Sequence, residues 1–228
     1  VDVPSGAAVF MADLTPGSPR YIVIEGPIGV GKTTLVNLFA ERYRANTVLE
    51  IFEENPFLAK FYDDRDAYAF QTEMFFLLSR YKQQEQFSQR DLFSALSVSD
   101  YLFVKCRLFA SLTLSDHELS LYDRMYNILK EQVPTPDVVI HLHAPLDTLH
   151  ERIKKRGRSY EEDMDLEYLD RLRSLYHNFF AHYEEAPMVK IDTADVNFAK
   201  EPDAVDELMD RVQRAYQASV APPKAIEF

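Results

Sequence analysis

Glycine is scarce in this sequence. The 228 residues include six, Gly6, Gly17, Gly26, Gly29, Gly31 and Gly157, where ordinary usage near 7% gives about 16. So few backbone pivots exclude a collagen-like chain and make the position of each glycine informative. Cysteine is scarcer still. The lone Cys106 cannot pair within the chain, which excludes a disulfide framework, suits a reducing cytoplasm and leaves the residue to fill core space. Positive charge is short: Lys+Arg 25 against Asp+Glu 37 gives a net charge of −12. That is the wrong sign for gripping nucleic acid or an anionic membrane, so neither is expected as a partner. No apolar run approaches the ~20 residues that span a bilayer. Residues 1–19 lack a basic segment followed by an apolar core, so no secretory signal is expected.

What remains is 46% apolar, 13% aromatic and 27% charged, the proportions of a compact soluble protein that faces small molecules. A single domain of this length buries roughly 70% of its unfolded surface without a disulfide or structural metal. The opening VDVPSGAAVFMADLTPGSP has no sustained period and reads as a flexible tail over residues 1–19. The domain then runs over 20–217, and the Pro- and Ala-rich residues 218–228 form a C-terminal tail. Within the domain, β-branched runs at 21–25, 47–52, 95–99, 137–142 and 188–191 alternate with helical periodicity at about 32–44, 64–89, 102–110, 115–132, 145–156, 165–185 and 202–217. Alternation of this kind predicts an α/β fold with a five-stranded parallel sheet flanked by helices.

Immediately after the first strand stands Gly26-Pro27-Ile28-Gly29-Val30-Gly31-Lys32-Thr33, which fits G-x-x-x-x-G-K-[ST] at every fixed position. A polyphosphate needs successive backbone N–H groups turned inward and a helix N-terminus behind them, so the loop must carry little side-chain obstruction. Gly26, Pro27, Ile28, Gly29, Val30, Gly31, Lys32, Thr33 and Thr34 are therefore the expected ATP-binding residues. Lys32 bridges the β- and γ-phosphates and the Thr33 hydroxyl reaches Mg²⁺. A Gly-rich turn with a surface lysine is the alternative, and the strand before and helix after argue against it.

The second predicted strand ends in Glu50-Ile51-Phe52-Glu53-Glu54-Asn55-Pro56, which puts carboxylates at the edge of the sheet where open α/β proteins bind ligands. One of them can accept a hydroxyl proton. With these residues in view, the chain resembles the deoxyribonucleoside kinases from Tyr21 to about Asp192, and so implies a P-loop kinase fold with an arginine-rich lid. The segments EIFEENPFLAKFYDD and YAFQTEMFFLLSRYKQ are most similar to bacterial deoxyguanosine kinases. The resemblance implies that Glu50 takes the proton of the nucleoside 5′-hydroxyl, with Glu53 the weaker candidate because Ile51-Phe52 stands where many members have Pro-Val. Glu54 reads as a solvated acid. It further implies that Tyr62 touches the sugar 3′-hydroxyl and that Arg80 supports the pocket. Asp100 would help hold Mg²⁺ through water, and Phe109 would stack on the base, an ordinary core phenylalanine being the alternative. Tyr101 replaces the arginine that commonly follows the acid, so the charge that arginine handles must be met elsewhere; Lys105 and Arg107 have no assigned place. Arg152, Arg156 and Arg158 match the lid, about 156–164, whose arginines close on the phosphates, and Glu161 matches the acid that reaches the sugar. A homodimer through long helices, with 115–132 a contact, is also implied.

The base-reading amide of the resembling proteins falls at Glu73. Glu73 and Arg80 are seven apart on one helical face, whereas Gln71 is about 200° away from Glu73. A carboxylate only accepts, and guanine offers adjacent N1–H and N2–H₂ donors, whereas adenine and cytosine present an acceptor beside a donor. The expectation is therefore phosphorylation of deoxyguanosine to dGMP in nucleoside salvage. The alternatives are a deoxyadenosine or broad-specificity kinase, admitted if Glu73 is protonated, and a nucleotide-binding subunit without chemistry, which the intact Lys32, Thr33 and Glu50 oppose. His141 and His143 share a strand face but lack further ligands at suitable spacing, so they read as sheet residues with hydrogen-bonded rings.

Overall fold

The computed structural model describes residues 18–51, 54–90, 96–158, 161, 164–194, 196–198, 200–201 and 203–221. Most of the expected N-terminal tail, Glu53, positions 159–160 and 162–163 of the expected lid, and the last seven positions lie outside them. Five strands, β1 (Tyr21–Glu25), β2 (Asn46–Val48), β3 (Ser97–Ser99), β4 (Val138–His143) and β5 (Met188–Asp192), form one sheet in the order β2-β3-β1-β4-β5. Every pairing is parallel, with Ile22 opposite both Val98 and Val138. The sheet is the predicted one. Among the described residues, eight helices accompany it: α1 (Lys32–Tyr43), α2 (Leu58–Asp63), α3 (Arg65–Arg90), α4 (Lys105–Thr113), α5 (Asp116–Lys130), α6 (Leu146–Arg156), α7 (Leu166–Ala181) and α8 (Asp203–Val220).

Alternation along β1 sorts its side chains between two cores. Ile22 and Ile24 pack with Leu35, Val36 and Phe39 of α1, Leu149 and Ile153 of α6 and Leu208 and Val212 of α8. Tyr21 and Val23 pack with Leu108 of α4 and Leu172, Tyr176 and Phe180 of α7. A third cluster joins Leu77 of α3 to Cys106 and Ala110 of α4 and Tyr122 and Tyr126 of α5. Helix boundaries follow local chemistry: Ser115 and Glu118 close a capping box on α5, Asp165 caps α7 by accepting from Glu167 N, and Gly157 ends α6 at φ 67°.

Several elements differ from the sequence reading. Strand β2 stops at Val48, so Glu50 lies beyond it and its carboxylate is set by loop contacts rather than by strand pleat. The short helix α2 follows Pro56, and α4 begins at Lys105 rather than 102. Helix α8 continues to Val220, past the tail boundary drawn at 217, although its packing against the core ends at Tyr216 and residues 217–220 are exposed. His141 Nδ1 has no hydrogen-bond partner among the described residues; the ring stacks on Phe180 at 4.1 Å between centroids, and burial drives its pKa down to about 3. Among the described residues no group of His, Cys, Asp and Glu is arranged to hold a metal ion, and no helix is long and apolar enough to cross a membrane.

Candidate active site

Strands β2 and β3 lie on one side of β1 and β4 and β5 on the other, so the winding of the sheet reverses at β1, and the loop after β1 opens at that switch point, as the geometry of open parallel sheets favours. Gly31 is the N-cap of α1 at φ 105° and provides no side-chain cap, so the first amides of the helix are left to a ligand. Lys32 Nζ is held by the Gly26 and Pro27 carbonyls at 2.7 and 3.0 Å. Burial, reinforced by the nearby Lys105 ammonium, brings the Lys32 pKa down to about 8. Two cavities flank the loop. One of about 640 Å³ is lined by Gly29 to Leu35, Arg152, Lys155, Arg156, Arg158 and Lys200. The other, about 340 Å³, shares Gly29, Lys32, Thr33, Arg156 and Arg158 with it and runs on to Glu50, Tyr62, Glu73, Arg80, Phe109 and Tyr168.

Glu50 is the centre of the smaller cavity's charged end. Its amide donates to Asp100 Oδ1 at 2.8 Å, and Gln83 Nε2 donates to the preceding Leu49 carbonyl at 3.1 Å, so α3 and β3 together fix a residue that no strand holds. Arg80 Nε reaches Glu50 Oε1 at 3.1 Å and Nη2 bonds the same oxygen, while Lys105 Nζ lies 2.5 Å from Oε2. Burial pushes the Glu50 carboxyl up, but the Arg80 guanidinium and the Lys105 ammonium outweigh it and hold the group well below the usual carboxylate range. Asp100 Oδ2 accepts from the Thr33 hydroxyl at 2.8 Å. A hydroxyl and a carboxylate side by side at the mouth of a phosphate loop are the hard oxygen donors that suit Mg²⁺, so these two residues fit the expected ion.

The Tyr101 ring is buried away from the cavity, with its hydroxyl 3.1 Å from Gln83 Oε1, and Lys105, four residues later at the start of α4, supplies the cation beside Glu50. Arg107, the other unplaced cation, pairs with Asp123. Cys106 does more than fill space: its sulfur accepts from Arg80 Nη1 at 3.2 Å. Beneath the loop is a carboxylate the sequence reading passed over. Glu25, fully buried at the end of β1, accepts from Gly26 N, Leu102 N and the Tyr176 hydroxyl at 2.8, 2.7 and 3.1 Å. Burial raises its pKa against the pull of Lys105 and Lys32.

At the other end of the cavity, Glu73 is 2% exposed while Gln71 faces solvent, as the helical periodicity requires. Thr113 Oγ1 lies 3.1 Å from Glu73 Oε1, and Oε2 has no hydrogen-bond partner among the described residues. Burial lifts the Glu73 pKa to about 7, against the Arg80 charge. Asn55 fastens the α2 entrance to α3 by donating to the Thr72 carbonyl at 3.1 Å and accepting from Phe57 N at 3.0 Å, and so sets the wall that carries Tyr62. Tyr168, under the Arg65 guanidinium, completes the lining. Neither Thr113 nor Tyr168 announces itself in sequence: each reaches the site from an element far along the chain.

The expected lid arginines divide. Arg152 donates to Thr193 Oγ1 and the Thr193 carbonyl at 2.7 and 2.6 Å, which ties it to the end of β5. Arg156 and Arg158 both pair with Glu161, at 2.5 and 3.5 Å, and this trio lines the smaller cavity.

The family model for deoxynucleoside kinases matches residues 22–217. A deoxyguanosine kinase of Bacillus subtilis (strain 168) is 42% identical over 177 residues, which cover 77% of this chain and 86% of that protein. A deoxyadenosine kinase of Lactobacillus acidophilus is 31% identical over 204 residues, covering 85% of this chain and 94% of its own. The structure of a deoxyadenosine kinase from M. mycoides with bound dATP superposes with a TM-score of 0.74 over 84% of this chain and 99% of that one, at 24% identity. That last likeness concerns the fold alone.

Proposed function

The chain belongs to the deoxynucleoside kinase family, and from that premise we propose that it transfers the γ-phosphoryl of ATP to the 5′-hydroxyl of deoxyguanosine, giving dGMP and ADP for nucleotide salvage. One observation carries the reading. A single cavity has the phosphate loop and Glu50 at one end and the buried, half-unpartnered Glu73 at the other. The relatives bear kinase names for both guanine and adenine nucleosides, so the base preference rests on Glu73.

The triphosphate lies over Gly26 to Thr34, with the Lys32 ammonium turned from the Gly26 and Pro27 carbonyls onto the β- and γ-oxygens. Thr33 and Asp100 would hold Mg²⁺, directly or through water, and the ion would offset phosphate charge. The sugar sits between Tyr62 and Glu50, and Phe109 stacks against the base. The 5′-oxygen forms its bond to the γ-phosphorus as the bond to the bridging oxygen of ADP breaks, and the hydroxyl proton passes to Glu50. In a loose transition state that proton leaves late, so Glu50 must be ionised and placed more than strongly basic. Arg80 and Lys105 do both. Arg156 and Arg158 swing from Glu161 to the transferring phosphoryl, and Arg152 backs the loop from Thr193. Glu161, released, reaches the sugar 3′-hydroxyl. We also place a homodimer contact on α5, where Leu121 and Ile128 are half or more exposed and seven residues apart on one face.

The deciding experiment offers each of the four deoxyribonucleosides, and guanosine, with Mg²⁺ and ATP. Deoxyguanosine is turned over with the highest kcat/KM at mildly alkaline pH. A pyrimidine preference sinks the base assignment.

A further inference from the structure

We propose that Thr113 and Glu73 form a proton-controlled base selector, in which the ionised pair admits guanine alone and the neutral pair admits adenine as well. This rests on the kinase reading of the same cavity and extends it to a specificity-determining residue outside the phosphate loop. The geometry is a hydrogen-bond relay. The Thr113 oxygen lies 3.1 Å from Glu73 Oε1 and 3.0 Å from the Phe109 carbonyl, so one hydroxyl proton has two acceptors to choose between. Glu73 Oε2 is buried and unpartnered, in a residue that lines the cavity.

When Glu73 is ionised, the Thr113 proton must turn to Oε1, since two facing acceptors repel. Oε2 is then a pure acceptor. Ring N1 decides the outcome: guanine carries a hydrogen there, adenine a lone pair. Guanine is accepted and adenine is refused. A neutral Glu73 has two satisfied arrangements. With the proton on Oε2, Thr113 donates to Oε1 and the acid donates to adenine N1. With the proton on Oε1, the acid donates to Thr113, Thr113 donates to the Phe109 carbonyl, and Oε2 still accepts guanine N1–H. The hydroxyl satisfies Oε1 in both, and by donating to the carboxylate it sets the pH at which one gives way to the other.

The groups that face Glu73 are Arg80 of its own helix, Glu50 after β2, Lys105 and Cys106 of α4, Tyr122 of α5 and Tyr168 of α7. Glu50 is held low, and burial pushes Cys106, Tyr122 and Tyr168 up, so of these carboxyls, thiols and phenols Glu73 is the one set to change charge near neutrality.

The test is a competition assay in which the intact enzyme receives deoxyguanosine and deoxyadenosine together with Mg²⁺ and ATP, from about pH 6 to about pH 8.5. Ionisations common to both substrates cancel in the ratio of their kcat/KM values. The deoxyadenosine to deoxyguanosine ratio falls about tenfold per pH unit above the transition and levels off below it. In Glu73→Gln the ratio no longer depends on pH. Thr113→Val removes the hydrogen bond that favours the ionised form, so its transition moves to higher pH and deoxyadenosine gains about tenfold at about pH 8; Thr113→Ser keeps the wild-type ratio. A flat ratio in the wild type, with deoxyguanosine still phosphorylated, overturns the selector and leaves the kinase reading standing. Phosphorylation of neither nucleoside at any pH defeats both. A Thr113→Val ratio equal to wild type removes Thr113 from the selector.

Discussion

Replacing Gly26 and Gly31 by alanine, one at a time, separates what the phosphate loop needs for folding from what it needs for binding. A Cβ on Gly26 would stand 2.3 Å from the Leu142 carbonyl oxygen, in the backbone of β4. That oxygen cannot rotate away, so the loop or the strand must move. A Cβ on Gly31 meets nothing within 4 Å, and the penalty there is its left-handed backbone at φ 105°. Left-handed backbone costs about 1–2 kcal/mol for a residue with a side chain. An overpacked contact adds roughly 1–3 kcal/mol or more. For a domain of this size each kcal/mol lowers Tm by about 2–4 °C. Gly31→Ala therefore loses a few degrees, and Gly26→Ala loses at least about twice as much. Binding inverts the order relative to stability: Gly31 lines the larger cavity beside Lys32, where amides approach phosphate, so its methyl obstructs ATP in a chain that is still folded. Thermal unfolding by circular dichroism and ATP titration by calorimetry measure the two effects. Equal Tm losses in the two variants would refute the Gly26 packing argument, and a folded Gly31→Ala that binds ATP as tightly as wild type would refute the placement of phosphate over this loop.

Arg156→Ala, which frees Glu161 from its 2.5 Å ion pair, lowers kcat by about 10²-fold or more if the guanidinium meets transition-state charge; single-turnover kinetics with unchanged kcat remove Arg156 from the chemistry. Ile128→Asp places a charge on the exposed α5 stripe and shifts sedimentation from dimer to monomer, and a wild type that sediments as a monomer excludes the α5 contact.

Local patterns make the phosphate loop and the helix that carries Glu73 legible. Gly26 to Thr33 is a contiguous motif, and Glu73 with Arg80 is a helical spacing, so each could be placed before any tertiary contact was known. The Glu50 end of the cavity is less legible. Glu50 reads as an acid at a strand end, yet β2 stops two residues earlier; Asp100 accepts from its backbone amide, and Arg80 and Lys105 orient its carboxylate, all from 30 to 55 residues away. Lys105 had no assignable role because a buried lysine differs from a surface one only in its neighbours. Glu25 looked like the polar end of a strand; its three donors come from residues next in sequence, 77 away and 151 away. Helix α2 escaped because six residues give too short a period to recognise.

The most direct measurement follows γ-labelled phosphate from ATP into deoxyguanosine, with the wild type and Glu50→Gln side by side. The account predicts labelled 5′-dGMP from the wild type, and from the variant a kcat lowered by about 10²–10⁴-fold with deoxyguanosine binding retained. No label in dGMP from the wild type, or an undiminished rate in Glu50→Gln, would contradict it.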